Sequence, residues 1–191
     1  QIVSTVEMPT AALIKHANPC GVANAADIAA AFRAALASDP VSAFGGILAV
    51  NRGVDATLVE AIGSLFLEVV IAPSYSGEAR EALSTKKNLR LLIAEPETHA
   101  SPLSHWVIAP ISGGYLVQTS DSHRSAVEDW KQVAGLPVLT PHSPLIDDAR
   151  LAWHVIKFVK SNAIVLVKNG TTIGVGAGQM SRVDSVRIAI E

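Results

Sequence analysis

The feature that most restricts this chain is a repeated change of apolar period between residues 10 and 95, from short runs that suit buried strands to four-residue spacings that suit helices. "TAALI" (Thr10 to Ile14) is short, apolar and bounded by Pro9 and by Asn18-Pro19, and reads as a buried strand. "ADIAAAFRAALAS" (Ala26 to Ser38) follows as a helix, because alanine has the best helix propensity and Ile28, Phe32 and Leu36 recur four residues apart. The pattern then repeats: a strand at Gly45 to Asn51, a helix at Asp55 to Phe66 with Asp55 as N-cap, and a strand at Leu67 to Pro73. A helix at Gly77 to Lys87 and a strand at Asn88 to Glu95 complete it. Such alternation predicts an α/β fold whose sheet is covered by helices on both faces.

From about Pro96 to Pro144 the pattern fades into scattered Pro, Ser, His and Gly, and one or two strands, set as a short antiparallel pair, are expected around "GGYLVQ". Order returns as a helix over Asp147 to Ser161, with Leu151, Val155, Phe158 and Val159 on one stripe. "NAIVLVKNGTTIGVGAG" (Asn162 to Gly178) is the strongest hairpin signal, two apolar strands joined at Asn169-Gly170.

With 191 residues, 49% of them hydrophobic, the chain can bury a real core. A formal charge of −2 with both signs interspersed supplies no long-range field for nucleic acid or an anionic membrane. The single cysteine excludes an internal disulfide and a multi-cysteine zinc site, and points to a reducing compartment, the cytoplasm. "SLFLEVVIAP", among the longest apolar stretches, carries a charge and falls short of the roughly 20 residues that span a bilayer. No secretory signal pattern opens the chain, and its abrupt ends suggest a fragment.

Several short segments can carry chemistry. "LIKHANPCG" ends a strand on Lys15 and His16, and strand ends followed by a turn are where α/β sheets place ligands. A lysine and a titratable histidine there make a proton-handling pair; the competing reading is a surface lysine and a histidine capping a turn. "HANPCG" also invites comparison with zinc deaminases, but Asn18 stands where their glutamate would be and no second cysteine exists. Cys20 reads instead as a small packed residue. Asp39, in "SDPVSAFGGI", can accept hydrogen bonds from ribose hydroxyls or an amine, or can simply form a turn. The paired glycines Gly45-Gly46 let backbone approach a ligand.

"GVGAGQMSR" (Gly174 to Arg182) joins a strand to a helix, so its glycines offer amides to a phosphate with Arg182 as counter-charge, or else form a plain turn. Asn162, before an apolar strand, is placed to read an amide or to form a turn. His99, His105, His123 and His142 show no metal-like spacing, and neither they nor His154 receive a role.

Taken together, "IKHANPCG", "SDPVSAFGGI" and "VKSNAIVLVKNGTTIGVGAGQMSRVDSVRIA" resemble the AICAR formyltransferase half of the bifunctional purine-biosynthesis enzymes, from about Ala11 to the end. The resemblance implies a three-layer α/β/α, cytidine-deaminase-like domain with a mixed sheet and no zinc. It also implies formyl transfer from 10-formyltetrahydrofolate to the 5-amino group of AICAR, in a cytoplasmic homodimer. Carried over by motif, it makes Lys15 and His16 the catalytic pair and Asp39, Gly46, Asn162 and Arg182 substrate contacts. Residues 1–191 then form a partial transformylase domain, the first deaminase-like unit plus a connection, lacking the IMP cyclohydrolase domain and the C-terminal part. The alternative from another class is a non-catalytic nucleotide-phosphate binding module built on "GVGAGQ" and Arg182.

Overall fold

The computed structural model describes residues 1–4, 6–94, 106–121, 129–135, 140 and 143–191. It divides into two units, residues 1–96 with 142–191, and residues 97–141. In the first unit, strands β1 (Thr10–Lys15), β2 (Asn18–Asn24), β3 (Gly46–Val50), β4 (Leu67–Ala72) and β5 (Arg90–Ile93) alternate in part with helices α1 (Ile28–Ser38), α2 (Ala56–Ile62) and α3 (Gly77–Ser84). In the second unit, β6 (Trp106–Ile111) and β7 (Gly114–Thr119) form an antiparallel hairpin, the expected short pair. The first unit is completed by α4 (Pro144–Ile156), β8 (Ile164–Lys168), β9 (Thr171–Gly176) and α5 (Arg182–Ile190). The histidines at 99, 105, 123 and 142 lie outside the described residues.

The seven strands of the first unit form one mixed sheet in the order β5-β4-β3-β1-β2-β9-β8. Only β3–β4 and β4–β5 pair in parallel; β1 pairs antiparallel with both β2 and β3, and β9 with β2 and β8. Strand geometry sends successive side chains to opposite faces, and β1 shows it. Ala11 and Leu13 join a core with Phe32 of α1, Leu58 of α2 and Leu83 of α3, while Ala12 joins a second core with Leu151 and Val155 of α4. Helices therefore cover both faces.

Caps fix the helix starts, at Asp55 as the sequence indicates and for α4 earlier than it does. The Asp55 carboxylate accepts from the Leu58 amide at 2.9 Å, and Ser143 caps α4 ahead of Pro144, three residues earlier than the apolar stripe predicts. Gly63, at φ 52°, ends α2 well before Phe66. The Asn169-Gly170 turn has both residues at positive φ, 53° and 71°, the requirement of a tight two-residue hairpin.

One element was not anticipated. Asn18–Asn24 reads as a turn because it holds Pro19 and Gly21, yet it is β2, hairpinned to β1 through the two-residue loop His16-Ala17. Gly21 serves packing rather than turning: a Cβ there would lie 1.9 Å from the Ala35 carbonyl oxygen of α1. Pro19 sits beside a one-residue register slip, where a missing N–H is tolerated.

Candidate functional site

The residues singled out by sequence gather at one end of the first unit's sheet, in two groups. β1 ends at Lys15, β2 starts at Asn18, β3 starts at Gly46, β8 starts at Ile164 and β9 ends at Gly176, all at that end of the sheet.

The first group surrounds Lys15. Its ammonium donates to the Phe44 carbonyl at 2.6 Å and the Gly45 carbonyl at 3.2 Å, leaving one of its three N–H donors. The carbonyls are presented by a turn in which Gly45 takes φ 67° and donates its amide to Phe66 at 2.8 Å, with Phe44 and Phe66 rings 5.4 Å apart. Gly46 needs to be glycine for a steric reason, since a Cβ would stand 2.9 Å from the Ala43 oxygen and 3.0 Å from the Ile14 oxygen. Beside it the β3–β4 register slips by one residue, leaving Glu68 as the extra residue of a bulge. In the sequence Glu68 is a lone charge within an apolar strand, and the slip in register is what marks it as the bulge residue.

His16 follows Lys15 in the hairpin loop at φ 54°, exposed. No hydrogen bond joins it to Lys15 among the described residues. Lys15 reaches toward β3, and His16 lies next to it in the hairpin loop, so the proposed pair is adjacent in the chain without a mutual hydrogen bond.

Asp39 caps the end of α1, and its carboxylate accepts from the Ser42 amide at 2.9 Å, which is the turn role. It nonetheless shares a neighbourhood with Lys15, because both charges act on Cys20. Burial pushes the Cys20 thiol up from its ordinary 9.0 to about 11, Asp39 adds to the rise, and a backbone hydrogen bond and the Lys15 ammonium oppose it. With its sulfur 3.4 Å from the Leu13 oxygen, Cys20 is a packed neutral thiol. A cleft of about 460 Å³ opens here, lined by Asn18, Cys20, Asp39, Ile173, Gly174 and Ala189 among others.

The second group is a pair of interlocked turns. Asn162 donates its carboxamide N–H groups to the Gln179 and Met180 carbonyls at 2.9 and 3.0 Å. Its backbone bonds Gln179 in both directions, and Ser185 Oγ donates to its carbonyl at 2.8 Å. Ser181 caps α5, so Arg182, the first helical residue, is exposed with no hydrogen bond or ion pair among the described residues. The glycines of "GVGAGQ" have other work. A Cβ on Gly174 would lie 1.8 Å from the Ala189 oxygen and one on Gly176 1.9 Å from the Ser185 oxygen, so both exist to seat α5 on β9. Gly178 donates its amide to Lys160 at 2.7 Å. The phosphate-cradle reading thus loses its glycines.

Between Lys15 on β1 and the start of β8 lie β2 and β9, so the two groups sit three strands apart along one end of the sheet. Among the described residues no three of His, Cys, Asp and Glu stand together as a metal site, and no helix is long and apolar enough to cross a membrane.

The sequence model of the family described as "AICARFT/IMPCHase bienzyme" matches residues 1–191. The chain is 50% identical over 184 residues to the bifunctional purine biosynthesis protein PurH of Parvibaculum lavamentivorans, covering 95% of this chain and 33% of that protein. It is 51% identical over 183 residues to the protein of the same name from Dinoroseobacter shibae, and 50% over 183 residues to that from Rhodospirillum rubrum, covering 95% of this chain and 34% of each. The chain therefore spans about a third of the length of these curated relatives.

Proposed function

The chain belongs to the AICARFT/IMPCHase bienzyme family, and from that premise we propose that it forms part of an enzyme transferring a formyl group from 10-formyltetrahydrofolate to the 5-amino group of AICAR, in purine biosynthesis. The observation that carries the reading is the Lys15 ammonium, held by two backbone carbonyls at the end of β1, directly before His16.

In the reaction the AICAR amine attacks the formyl carbon, a new C–N bond forms, the bond to folate N10 breaks, and N10 leaves with a proton. The amine is a weak nucleophile, so its proton must depart as the bond forms, and His16 serves as the base that takes it. Lys15 uses its remaining N–H to assist the departing folate nitrogen as the formyl group is transferred. Asp39, Gly46, Asn162 and Arg182 are the proposed contacts to AICAR, with Arg182 as the cation for its phosphate. The spread of these positions suits a ligand of nucleotide length better than a lone phosphate ion.

The proposal also takes the fold as cytidine-deaminase-like without zinc, the 191 residues as one part of the transformylase region, and the assembled enzyme as a cytoplasmic homodimer. The mixed sheet with helices on both faces supports the first of these readings and the 33–34% coverage of the relatives supports the second. The decisive experiment is His16→Ala in the full-length protein, with an expected loss of turnover of about 10²-fold or more, the usual scale for a positioned acid or base. Retained turnover would remove His16 from the mechanism.

A further inference from the structure

We infer that Asn18 is a positioning residue that holds the Lys160–Asn162 turn in register with the Lys15–His16 hairpin. In its functional half the inference rests on the formyl-transfer reading; in its structural half it rests on geometry alone.

The seam between β2 and β9 is where the site can come apart. Its strand register consists of the single pair Ala23↔Thr171, at the end away from Lys15. Three bonds reinforce that end, from the Asn24 amide to the Gly170 carbonyl at 2.8 Å, from the Val22 amide to Thr172 Oγ1 at 2.9 Å and from Thr172 Oγ1 to the Val22 carbonyl at 3.2 Å. Toward the site the two strands part, and the cleft opens between Asn18, Pro19 and Cys20 on one side and Ile173 to Val175 on the other. At its mouth one side-chain bond spans the two groups of site residues: Asn18 Oδ1 accepts from the Lys160 amide at 3.0 Å, across 142 positions of chain.

Both ends of that bond are well anchored. Asn18 is the cross-strand partner of Lys15, so it leaves the sheet beside the proposed catalytic lysine. Lys160 in turn accepts from the Gly178 amide at 2.7 Å, next to the paired backbone bonds of Asn162 and Gln179, which lead to Met180, Ser181 and Arg182. A shift of about 1 Å between groups that act on one substrate is enough to cost a large factor in rate.

Asn18→Ala in the full-length protein should lower kcat for formyl transfer by about tenfold or more with little change in melting temperature. Asn18→Asp, which keeps an acceptor of the same shape, should restore kcat to within about twofold of the unaltered enzyme. Combining Asn18→Ala with Asn162→Ala should cost little more than Asn162→Ala alone, because both act through one turn. In the 191-residue chain, amide exchange at Lys160 should accelerate in Asn18→Ala. An unchanged Lys160 amide, unchanged kcat, failure of Asp to restore it, or losses that simply multiply would each overturn the inference. If the unaltered full-length protein transfers no formyl group, the functional reading falls, and Lys160 exchange still decides whether Asn18 holds the seam.

Discussion

His16 sits at φ 54°, a region that costs a residue with a Cβ about 1–2 kcal/mol. Replacing it by glycine removes that strain but adds freedom to the unfolded chain, an opposing effect of about 0.4–1 kcal/mol. The strain is the larger effect, so His16→Gly should stabilise the fold by a few tenths to about 1 kcal/mol in urea unfolding, while turnover of the full-length enzyme falls as for His16→Ala. A destabilised His16→Gly would mean that the imidazole holds the hairpin together. Cys20 offers a second test, with the sign set by its raised pKa. The native state disfavours the thiolate, so this contribution to stability is full below about 9 and is lost as pH rises from about 9 to about 11. At pH 9 about half the thiols of the unfolded chain are ionised against about 1% in the native one, so iodoacetamide should label the native protein tens of times more slowly than the urea-unfolded one. Equal rates at pH 9 would show that the thiol is not buried as described.

At the scale of elements, two contacts decide whether β9 is placed correctly. Asp148 of α4, nearly buried, accepts from the Asn169 amide at 2.9 Å and the Gly170 amide at 2.7 Å, so the helix holds the tip of the β8–β9 hairpin. Asp148→Ala strands two amides and should cost about 2–3 kcal/mol, read as a lower urea midpoint at unchanged slope; Asp148→Asn, keeping one acceptor, should cost less. On the other side, α5 lies so close to β9 that Gly176→Ala forces two backbones apart. That substitution should cost about 2–3 kcal/mol, whereas Gly114→Ala in β7, where a Cβ meets nothing within 4 Å, should stay within about 1 kcal/mol. Equal costs at the two sites would show that α5 can move away. Glycine thus means opposite things in one sequence. Gly170 makes a turn and was legible as such, while Gly21, Gly174 and Gly176 lie within strands and give way to helix backbone, which a one-dimensional pattern does not distinguish from turning.

At the scale of the molecule, both apolar cores belong to the unit made of residues 1–96 and 142–191, so that unit has what it needs to fold without the other. A chain in which residues 97–141 are replaced by a flexible linker should keep a single cooperative melt and dispersed amide resonances. Loss of both would show that the second unit is needed to hold the sheet. The sequence by itself determined the α/β class, the helix start at Asp55, the Asn169-Gly170 hairpin and the motifs that mark the family, because caps, turn residues and apolar period are set by neighbours along the chain. Only the tertiary structure decided the order of the strands in the mixed sheet, that Asn18–Asn24 is a strand, and that Lys15 turns to the Phe44 and Gly45 carbonyls while His16 stays in its loop. It also decided that Asn18 meets Lys160, for strand order and contacts across 142 residues depend on which faces pack together, and no local pattern carries that.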